Sequence, residues 1–287
     1  MSDQQTLTDD RKADFGAIYT APDPRPYFRT LTPLGYQIPQ LARPIVEAVL
    51  GAPREEPRHR AVLDVCCSYG INAATLATGD LCRVAARYTD PALDDLSSAE
   101  LAATDARFYA QYADRARILG LDSSAPAVDY ARAAGLLDDG WAEDLEHDEP
   151  SAALVEGIRD VGLVVCTGGV GYIGSRTFAR ILQAVPDPSD LWLVICVLRV
   201  FDCADIVDLL ARHGLVTERL ATTLPQRRFA DREEQAAAIH DVRRRGLDPT
   251  GLESEGWFHA ECLVTRPAAE AAGVPLAELV PTGEGPK

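Results

Sequence analysis

Small and polar residues gather at the ends of several apolar runs in this sequence, in the segments 64–70, 122, 144–145 and 166–172. In an open parallel sheet a ligand lies beyond the carboxyl ends of the strands, so such residues can meet at one edge. A carboxylate placed there can take both hydroxyls of a ribose, and small residues let the backbone pass close to a ligand. The pattern therefore indicates a nucleotide-type binding site.

Two carboxylates have the best positions for this chemistry. Asp122 ends the apolar run of ARILGLD and can bind a ribose; alternatively it is an acid stabilised at the start of the next helix. Asp144, in AEDLE, can accept a bond from an adenine amino group while the backbone of Leu145 meets a ring nitrogen. It can equally be one solvated acid among several.

The adjacent cysteines Cys66 and Cys67, in VLDVCCSYG, suggest a redox pair, half of a metal site, or the wall of a binding loop. The sequence has 7 cysteines and no C-x-x-C spacing, which argues against a disulfide framework and a zinc site. A disulfide between neighbouring residues is strained. We therefore expect these residues to form the wall of a loop.

The segment CTGGVGYIG follows the fourth apolar run. Its glycines allow close backbone approach, and the ring of Tyr172 can face a cation or simply pack between sheet and helix. Thr167 can hydrogen-bond a ligand. Arg199, at the end of LWLVICVLR, can bind a carboxylate or pair with Asp202 or Asp205.

Short apolar runs alternate with helical patterns, which predicts an α/β doubly wound sheet with right-handed crossovers. Seven strands are expected, the last two antiparallel at one edge, with a helical insert at 229–246 between them. The predicted strands are 61–66, 116–122, a short strand with its turn over 140–146, 161–169, 191–199, the segment GLVTERL, and 257–267.

The motifs VLDVCCSYG, ILGLDSSAPAVDYAR, GWAEDLE and VGLVVCTGGVGYIG together resemble the class I S-adenosylmethionine (SAM)-dependent methyltransferases, over about residues 60–220. The first motif departs from the family pattern D-x-G-x-G-x-G. Asp64 and Gly70 are kept, whereas Cys66 and Ser68 replace two glycines. Cysteine and serine are also small residues, which suits such a loop.

The resemblance implies a Rossmann-like fold and SAM as cosubstrate. It implies cofactor contacts from Asp64, Cys66, Ser68, Gly70, Asn72, Asp122, Ser123, Asp144, Leu145 and Cys166. It places Thr167 and Tyr172 where the acceptor and the sulfonium meet, as candidate catalytic residues.

A second departure is the long stretch between Asp64 and Asp122, where the family usually has about one helix. We expect this insertion, 75–115, to pack with an aromatic N-terminal segment, 15–58, as a helical lid. Tyr19, Tyr27 and Tyr36 of that segment would then meet the substrate, with Arg199. The same helices can instead cover a sheet edge or form a dimer contact.

The remaining boundaries are a disordered start, 1–14, a SAM-binding domain, 59–267, and a loose tail, 268–287. The chain has 287 residues, 47% hydrophobic and 25% charged, with a net charge of −16. Such an acidic surface disfavours nucleic acid as a partner. No apolar run approaches a membrane span, and no signal peptide is evident, so we expect a cytoplasmic protein.

The sequence thus favours a SAM-dependent methyltransferase for a small-molecule acceptor in bacterial specialised metabolism, without a metal, and it leaves a homodimer as an open alternative. The absence of an evident catalytic base does not oppose it, since methyl transfer needs mainly alignment and water exclusion. The alternative is a SAM-consuming enzyme of the aminocarboxypropyl or azetidine-2-carboxylate synthase type, which releases methylthioadenosine. A non-catalytic SAM-binding module is the third reading.

Overall fold

A computed structural model describes residues 16–52, 61–112 and 116–280. Within these ranges one sheet has the strand order β3-β2-β1-β4-β5-β8-β6, with β7 paired to β8. The strands are β1 (Ala61–Val65), β2 (Ile118–Asp122), β3 (Asp139–Ala142), β4 (Val161–Thr167), β5 (Trp192–Leu198), β6 (Leu215–Arg219), β7 (Leu224–Arg228) and β8 (Trp257–Pro267).

The first five strands are parallel, and β8 runs antiparallel to its neighbours β5, β6 and β7. The chain builds outward from β1 to β3 and returns to β4 beside β1. This makes the gap between β1 and β4 the switch point, where open α/β sheets bind ligands. The predicted α/β doubly wound fold is confirmed.

Helices cover both faces of the sheet, as a buried parallel sheet requires. They are α1 (Gly16–Tyr19), α2 (Arg25–Leu31), α3 (Ile38–Leu50), α4 (Ile71–Thr78), α5 (Leu81–Thr89), α6 (Ser98–Tyr109), α7 (Ala125–Ala133), α8 (Ala152–Gly157), α9 (Ser175–Ala184), α10 (Ala204–Arg212), α11 (Arg232–Arg244), α12 (Ala268–Gly273) and α13 (Leu276–Leu279). None of them is long and apolar enough to cross a membrane.

The alternation of β5 shows how one strand serves two cores. Val194 and Cys196 join the core under α2–α7, whereas Leu193, Ile195 and Val197 join the core under α8–α10. All five side chains are buried, so the strand reads as one continuous apolar run.

The sequence prediction misses β7. Its residues, LPQRR, include a proline and two arginines, which are poor strand formers. Pro225 is tolerated because β7 pairs on one side only, with β8, and because the register shifts between Pro225 and Arg227. The described sheet therefore has eight strands where seven were expected.

Strand β3 ends at Ala142 and the chain then forms a turn, in agreement with the short strand and turn predicted over 140–146. One other boundary differs from expectation. Residues 268–279 form α12 and α13 instead of a loose tail, with Leu276 and Val280 buried. The predicted disorder of residues 1–14 lies outside the described residues.

The helices of the insertion pack against the N-terminal segment. Phe28 of α2 stacks on Tyr88 of α5 at 5.0 Å between ring centroids. Asp23 accepts a hydrogen bond of 2.7 Å from the hydroxyl of Ser98, at the start of α6. Arg25 donates to the carbonyl oxygen of Leu93 at 2.8 Å. These contacts make the two segments one layer on the same face of the sheet.

Candidate active site

One cavity of about 250 Å³ opens at the carboxyl ends of β1, β2 and β4, at the switch point. The N-terminal helices and β7 complete its walls. Among the residues of the sequence prediction, it is lined by Tyr19, Tyr27, Tyr36, Cys66, Ser68, Asn72, Asp122, Ser123, Thr167 and Tyr172. The fold thus brings together side chains separated by up to about half of the chain.

Asp122 lies at the end of β2 with its carboxylate among backbone donors. Oδ2 accepts a bond of 2.9 Å from the N–H of Ser68, and Oδ1 accepts one of 2.9 Å from the N–H of Ser124. Burial raises the pKa of Asp122, although these backbone bonds oppose the rise. Ser124 caps the helix that follows, since its hydroxyl accepts from the N–H of Ala127.

The loop after β1 has an unusual backbone. Cys66, Ser68 and Gly70 have φ values of 59°, 49° and 73°, so all three alternate positions are left-handed. Within the described residues, Cys66 and Ser68 are the non-glycine residues with positive φ. This conformation costs roughly 1–2 kcal/mol for a residue with a Cβ. The backbone therefore keeps the path that glycine favours, with side chains where the resemblance predicts glycine.

The Cys66 side chain fills space against the loop after β4. A Cβ built on Gly169 would lie 2.6 Å from Sγ of Cys66 and 2.8 Å from Sγ of Cys166, so glycine is required there. A hydrogen bond with Cys166 and burial both raise the pKa of Cys66 well above its ordinary value. A protonated thiol is a poor nucleophile and metal ligand, which fits a wall role.

A chain of three side chains runs from the sheet to the cavity. Asp64 is 1% exposed, and its Oδ1 accepts a bond of 2.8 Å from the amide nitrogen of Asn72. The amide oxygen of Asn72 accepts a bond of 3.0 Å from the hydroxyl of Thr167. Burial, with a smaller contribution from the charge of Asp122, raises the pKa of Asp64 to about 7, while the Asn72 bond opposes the rise.

Tyrosines form the opposite wall. Tyr27 contacts Tyr19 and Tyr36 edge to face, at 5.8 and 5.9 Å between ring centroids. Tyr172 is 59% exposed and meets Tyr19 at 6.5 Å, so these two rings join the loop after β4 to the N-terminal segment. Burial raises the pKa of Tyr36 to about 12, which keeps its hydroxyl protonated.

Hydrogen bonds to its backbone fasten the N-terminal segment over the cavity. The hydroxyl of Tyr69 lies 2.9 Å from the carbonyl oxygen of Ile18 and 2.8 Å from that of Ala21. The hydroxyl of Ser124 donates to the carbonyl oxygen of Tyr19 at 2.7 Å. Tyr69, a loop residue of the first motif, thus holds the segment that carries the aromatic wall.

Several predicted site residues do not line the cavity. Asp64 lies behind Asn72. A Cβ built on Gly70 would lie 3.3 Å from the Cβ of Ala131, in α7, and 3.2 Å from the Cβ of Leu136. Cys166 is buried behind Cys66.

The loop after β3 is engaged elsewhere. Asp144 is paired with His147 at 2.9 Å, and Leu145 is buried and accepts from Arg180 through its carbonyl oxygen at 2.7 Å. The neighbouring Glu146 accepts from the N–H of Gly174 at 2.8 Å and so binds the start of α9. The adenine role of this loop stays a prediction.

The structure places Arg199 away from the cavity, contrary to its predicted role in substrate binding. Its guanidinium is 7% exposed and bonds Glu253 at 2.6 Å and the carbonyl oxygen of Asp248 at 2.8 Å. Neither Asp202 nor Asp205 is the partner at that distance. Removal of one member of such a buried pair leaves an uncompensated charge and is strongly destabilising. Arg199 is not among the residues that line the cavity.

The sequence analysis missed Gln226 and Arg227, which line the cavity from β7. Arg227 is 2% exposed and pairs with Glu234 at 2.6 Å. The sequence contains one sign of this pair, the seven-residue spacing between Arg227 and Glu234. That spacing does not predict a cavity residue, because strand β7, which carries Arg227, was itself not predicted.

No protein-family model matches this sequence, and no curated protein matches it. Solved structures with a related fold include a TehB-like SAM-dependent methyltransferase from Corynebacterium glutamicum, 17% identical, with 79% of this chain and 86% of that chain covered and a TM-score of 0.39. A SAM-dependent methyltransferase from Aquifex aeolicus is 8% identical, with coverages of 79% and 92% and a TM-score of 0.39.

The plantazolicin methyltransferase BpumL, solved with S-adenosylhomocysteine (SAH), is 8% identical, with coverages of 80% and 86% and a TM-score of 0.38. All three neighbours are methyltransferases, two of them described as SAM-dependent. The likeness is one of fold and says nothing about the substrate of this chain.

Proposed function

We propose that this chain is a SAM-dependent methyltransferase acting on a small-molecule acceptor, in bacterial specialised metabolism. One observation carries the proposal. The cavity at the β1–β4 switch point joins a strand-end carboxylate, Asp122, to a wall of four tyrosines. A carboxylate suits a ribose, and aromatic faces suit a sulfonium cation, so the two halves of SAM each have a partner of fitting chemistry.

The charges of the cavity-lining side chains also fit SAM, which carries a sulfonium cation. The cavity is lined by the carboxylate of Asp122 and by hydroxyl and amide groups, whereas its arginine, Arg227, is paired with Glu234. The loop 66–70, with left-handed backbone at alternate residues, brings backbone beside the Asp122 carboxylate. SAM, when bound, supplies a methyl carbon already activated by its sulfonium.

The residues of this chain then align SAM, shield its reacting atoms from water and attract its sulfonium. Asp122 and Ser123 hold the nucleoside end, and the rings of Tyr19 and Tyr172 face the cationic end. Cation–π attraction is worth about 0.5–2 kcal/mol at partly desolvated sites. The N-terminal segment, fastened by Tyr69 and Ser124, excludes water from the reacting atoms.

No histidine lines the described cavity. This agrees with an in-line displacement in which a competent nucleophile attacks the methyl carbon and the carbon–sulfur bond breaks with its electron pair on sulfur, a reaction to which alignment contributes most. The acceptor enters beside Tyr172, the most exposed of the four tyrosines. We further propose that residues 15–58 and the insertion 75–115 act as the lid, opening for exchange and closing for reaction.

A second candidate is favoured by the closure of the cavity. Three backbone carbonyls of residues 18–21 are within hydrogen-bond distance of Tyr69 or Ser124, so the wall lies close against the site. A closed site suits an intramolecular reaction of SAM. The α-amine attacks the γ-carbon, the γ-carbon–sulfur bond breaks with its electron pair leaving on sulfur, and a proton is released. The products are azetidine-2-carboxylate and methylthioadenosine.

Incubation of the purified protein with SAM, with and without a metabolite library, distinguishes these candidates by mass spectrometry. If the protein is a methyltransferase, SAM should stay intact when no library is added. With the library, SAH should form together with a product about 14 mass units heavier than its acceptor. Methylthioadenosine and a cyclic amino acid formed from SAM alone would establish the second candidate instead. SAM that binds but is never consumed would point to the non-catalytic module.

A further inference from the structure

Strand β7 presents two successive side chains to the cavity because it contains a bulge. Pro225 lies opposite His259 of β8, and the next paired residue, Arg227, lies opposite Phe258. Gln226 is thus an extra residue with no opposite residue in β8. Side chains normally alternate between the two faces of a strand, yet Gln226 and Arg227 are both buried and both line the cavity. The bulge therefore turns the carboxamide of Gln226 into the site.

The Gln226 carboxamide is buried without a hydrogen-bond partner among the residues that the structure describes. Gln226 is 6% exposed, and the bond of 2.8 Å from the N–H of Gln37 goes to its backbone carbonyl oxygen. A Cβ built on Gly168 would lie 2.9 Å from Nε2 of Gln226, so the amide lies against the loop after β4. Burial of an unpartnered amide costs free energy, which a ligand with matching groups would recover.

Gln226 and Asp122 enter the cavity from opposite sides of the switch point. Asp122 ends β2, beyond β1, whereas β7 pairs with β8, beyond β5. The nucleoside end of SAM is proposed at Asp122, which leaves the end at Gln226 for the acceptor. Arg227, beside Gln226, is held in a buried ion pair with Glu234, so its charge is balanced. That end of the cavity therefore suits a neutral acceptor, since a buried charge needs a counterion.

Flat groups lie beside the Gln226 amide. Tyr36 and Pro39 lie on either side of Gln37 in the chain, and both line the cavity. From these observations we infer that Gln226 selects the acceptor, a neutral planar molecule in which an N–H lies beside a carbonyl oxygen, as in a lactam. A carboxamide can pair with such an edge through two hydrogen bonds, since it carries both a donor and an acceptor. The inference rests on the proposed function and adds to it the chemical class of the acceptor.

The test measures the binding of two probes to the full-length protein saturated with SAH, by ligand-observed NMR titration. 2-Quinolone has a lactam edge, whereas quinoline has the same two fused rings without the N–H and the carbonyl. Wild type should bind 2-quinolone at least about tenfold more tightly, a factor that two hydrogen bonds supply. Gln226→Leu should bind the two probes within about twofold of each other. It should bind SAH with wild-type affinity, because the nucleoside is held at the other end.

Gln235→Leu is the matched control. The side chain of Gln235, in α11, donates to the carbonyl oxygens of Glu253 and Ser254 and does not line the cavity. This variant should keep the preference for 2-quinolone but melt at a lower temperature than wild type. Gln226→Leu, which loses no side-chain hydrogen bond, should melt no lower than wild type.

Three results would overturn the inference while leaving the proposed function in place. They are a wild-type protein that binds SAH but does not prefer 2-quinolone, a Gln226→Leu protein that keeps the preference, and a Gln226→Leu protein that loses SAH affinity as strongly as 2-quinolone affinity. In the last case Gln226 would support the whole cavity and not the acceptor alone. A wild-type protein that binds no SAH overturns the proposed function, and the inference with it.

Discussion

The carboxylate of Asp122, at the end of β2, accepts a hydrogen bond of 2.9 Å from the backbone N–H of Ser68, in the loop after β1. The residue expected to bind ribose is therefore also a support of the loop that replaces glycines with cysteine and serine. Ligand affinity and loop conformation are coupled through one side chain.

Replacing Asp122 should consequently have a large effect on affinity. Asp122→Ala removes an acceptor for the ligand hydroxyls and for Ser68, and we expect at least about a tenfold loss in SAM affinity in calorimetry. Glu143→Ala is the control and should leave affinity unchanged, because the Glu143 carboxylate accepts from Ser151 and does not line the cavity. An Asp122→Ala protein with wild-type affinity would contradict the ribose assignment.

The left-handed backbone at Ser68 makes a prediction about stability. Ser68→Gly relieves the Cβ cost but makes the unfolded chain more flexible, so its free energy of unfolding should stay within about 1 kcal/mol of wild type. Ser68→Val, which is β-branched, should lose at least about 2 kcal/mol at the same φ. Urea denaturation measures both. Equal stability of the glycine and valine variants would show that residue 68 is not held left-handed in solution.

The Tyr69 hydroxyl should control closure of the N-terminal segment. Tyr69→Phe removes its bond to the carbonyl oxygens of Ile18 and Ala21, worth about 0.5–1.5 kcal/mol. Residues 16–24 should then exchange amide hydrogens faster and be cut sooner by protease. Tyr112→Phe, whose ring contacts Phe108 in the insertion, is the matched control. Unchanged exchange over residues 16–24 would remove Tyr69 from the lid.

The Asp64 carboxyl should make stability depend on pH. Burial raises its pKa from 3.8 to about 7, so the folded protein retains a proton that the unfolded chain has lost. The stabilisation is present below about pH 4 and is lost as pH rises through about 7, for a total of roughly 4 kcal/mol. Wild type should therefore lose stability relative to Asp64→Asn between pH 5 and about pH 8.

Ligand-free urea denaturation at several pH values checks this prediction. Asp144→Asn is the control: burial alone would raise the pKa of that half-buried carboxyl, but its bonds with His147 and with the backbone of Glu146 together lower it. The difference in free energy of unfolding between wild type and Asp144→Asn should not show this loss of wild-type stability as the pH rises. A pH-independent difference between wild type and Asp64→Asn would show that Asp64 is ionised at all these values.

The sequence was most informative where burial on both sides left continuous apolar runs. Strands β1, β4 and β5 were predicted to within about two residues, because a buried parallel sheet largely excludes polar residues from its interior. Strand β7 was not, because edge pairing is decided by its neighbour β8 and its own residues, LPQRR, have low strand propensity.

The residues of the candidate site were likewise predictable in part. Asp122 and Thr167 were recognised because strand ends converge at one edge of a parallel sheet. Arg199 also ends a strand, yet its side chain turns to Glu253, a partner 54 residues away that no local pattern reveals. The fastening of residues 18–21 by Tyr69 was likewise invisible, since it depends on packing between segments about 50 residues apart.

The most direct test of the account is a titration of SAM onto wild-type protein and onto Tyr19→Ala/Tyr172→Ala, the pair of rings that joins the loop after β4 to the N-terminal segment. We predict one site per chain in the wild type, competed by SAH, and an affinity at least about tenfold weaker in the double variant. Absence of binding to wild-type protein, or equal affinity of the two proteins, would contradict the assignment of this cavity to SAM.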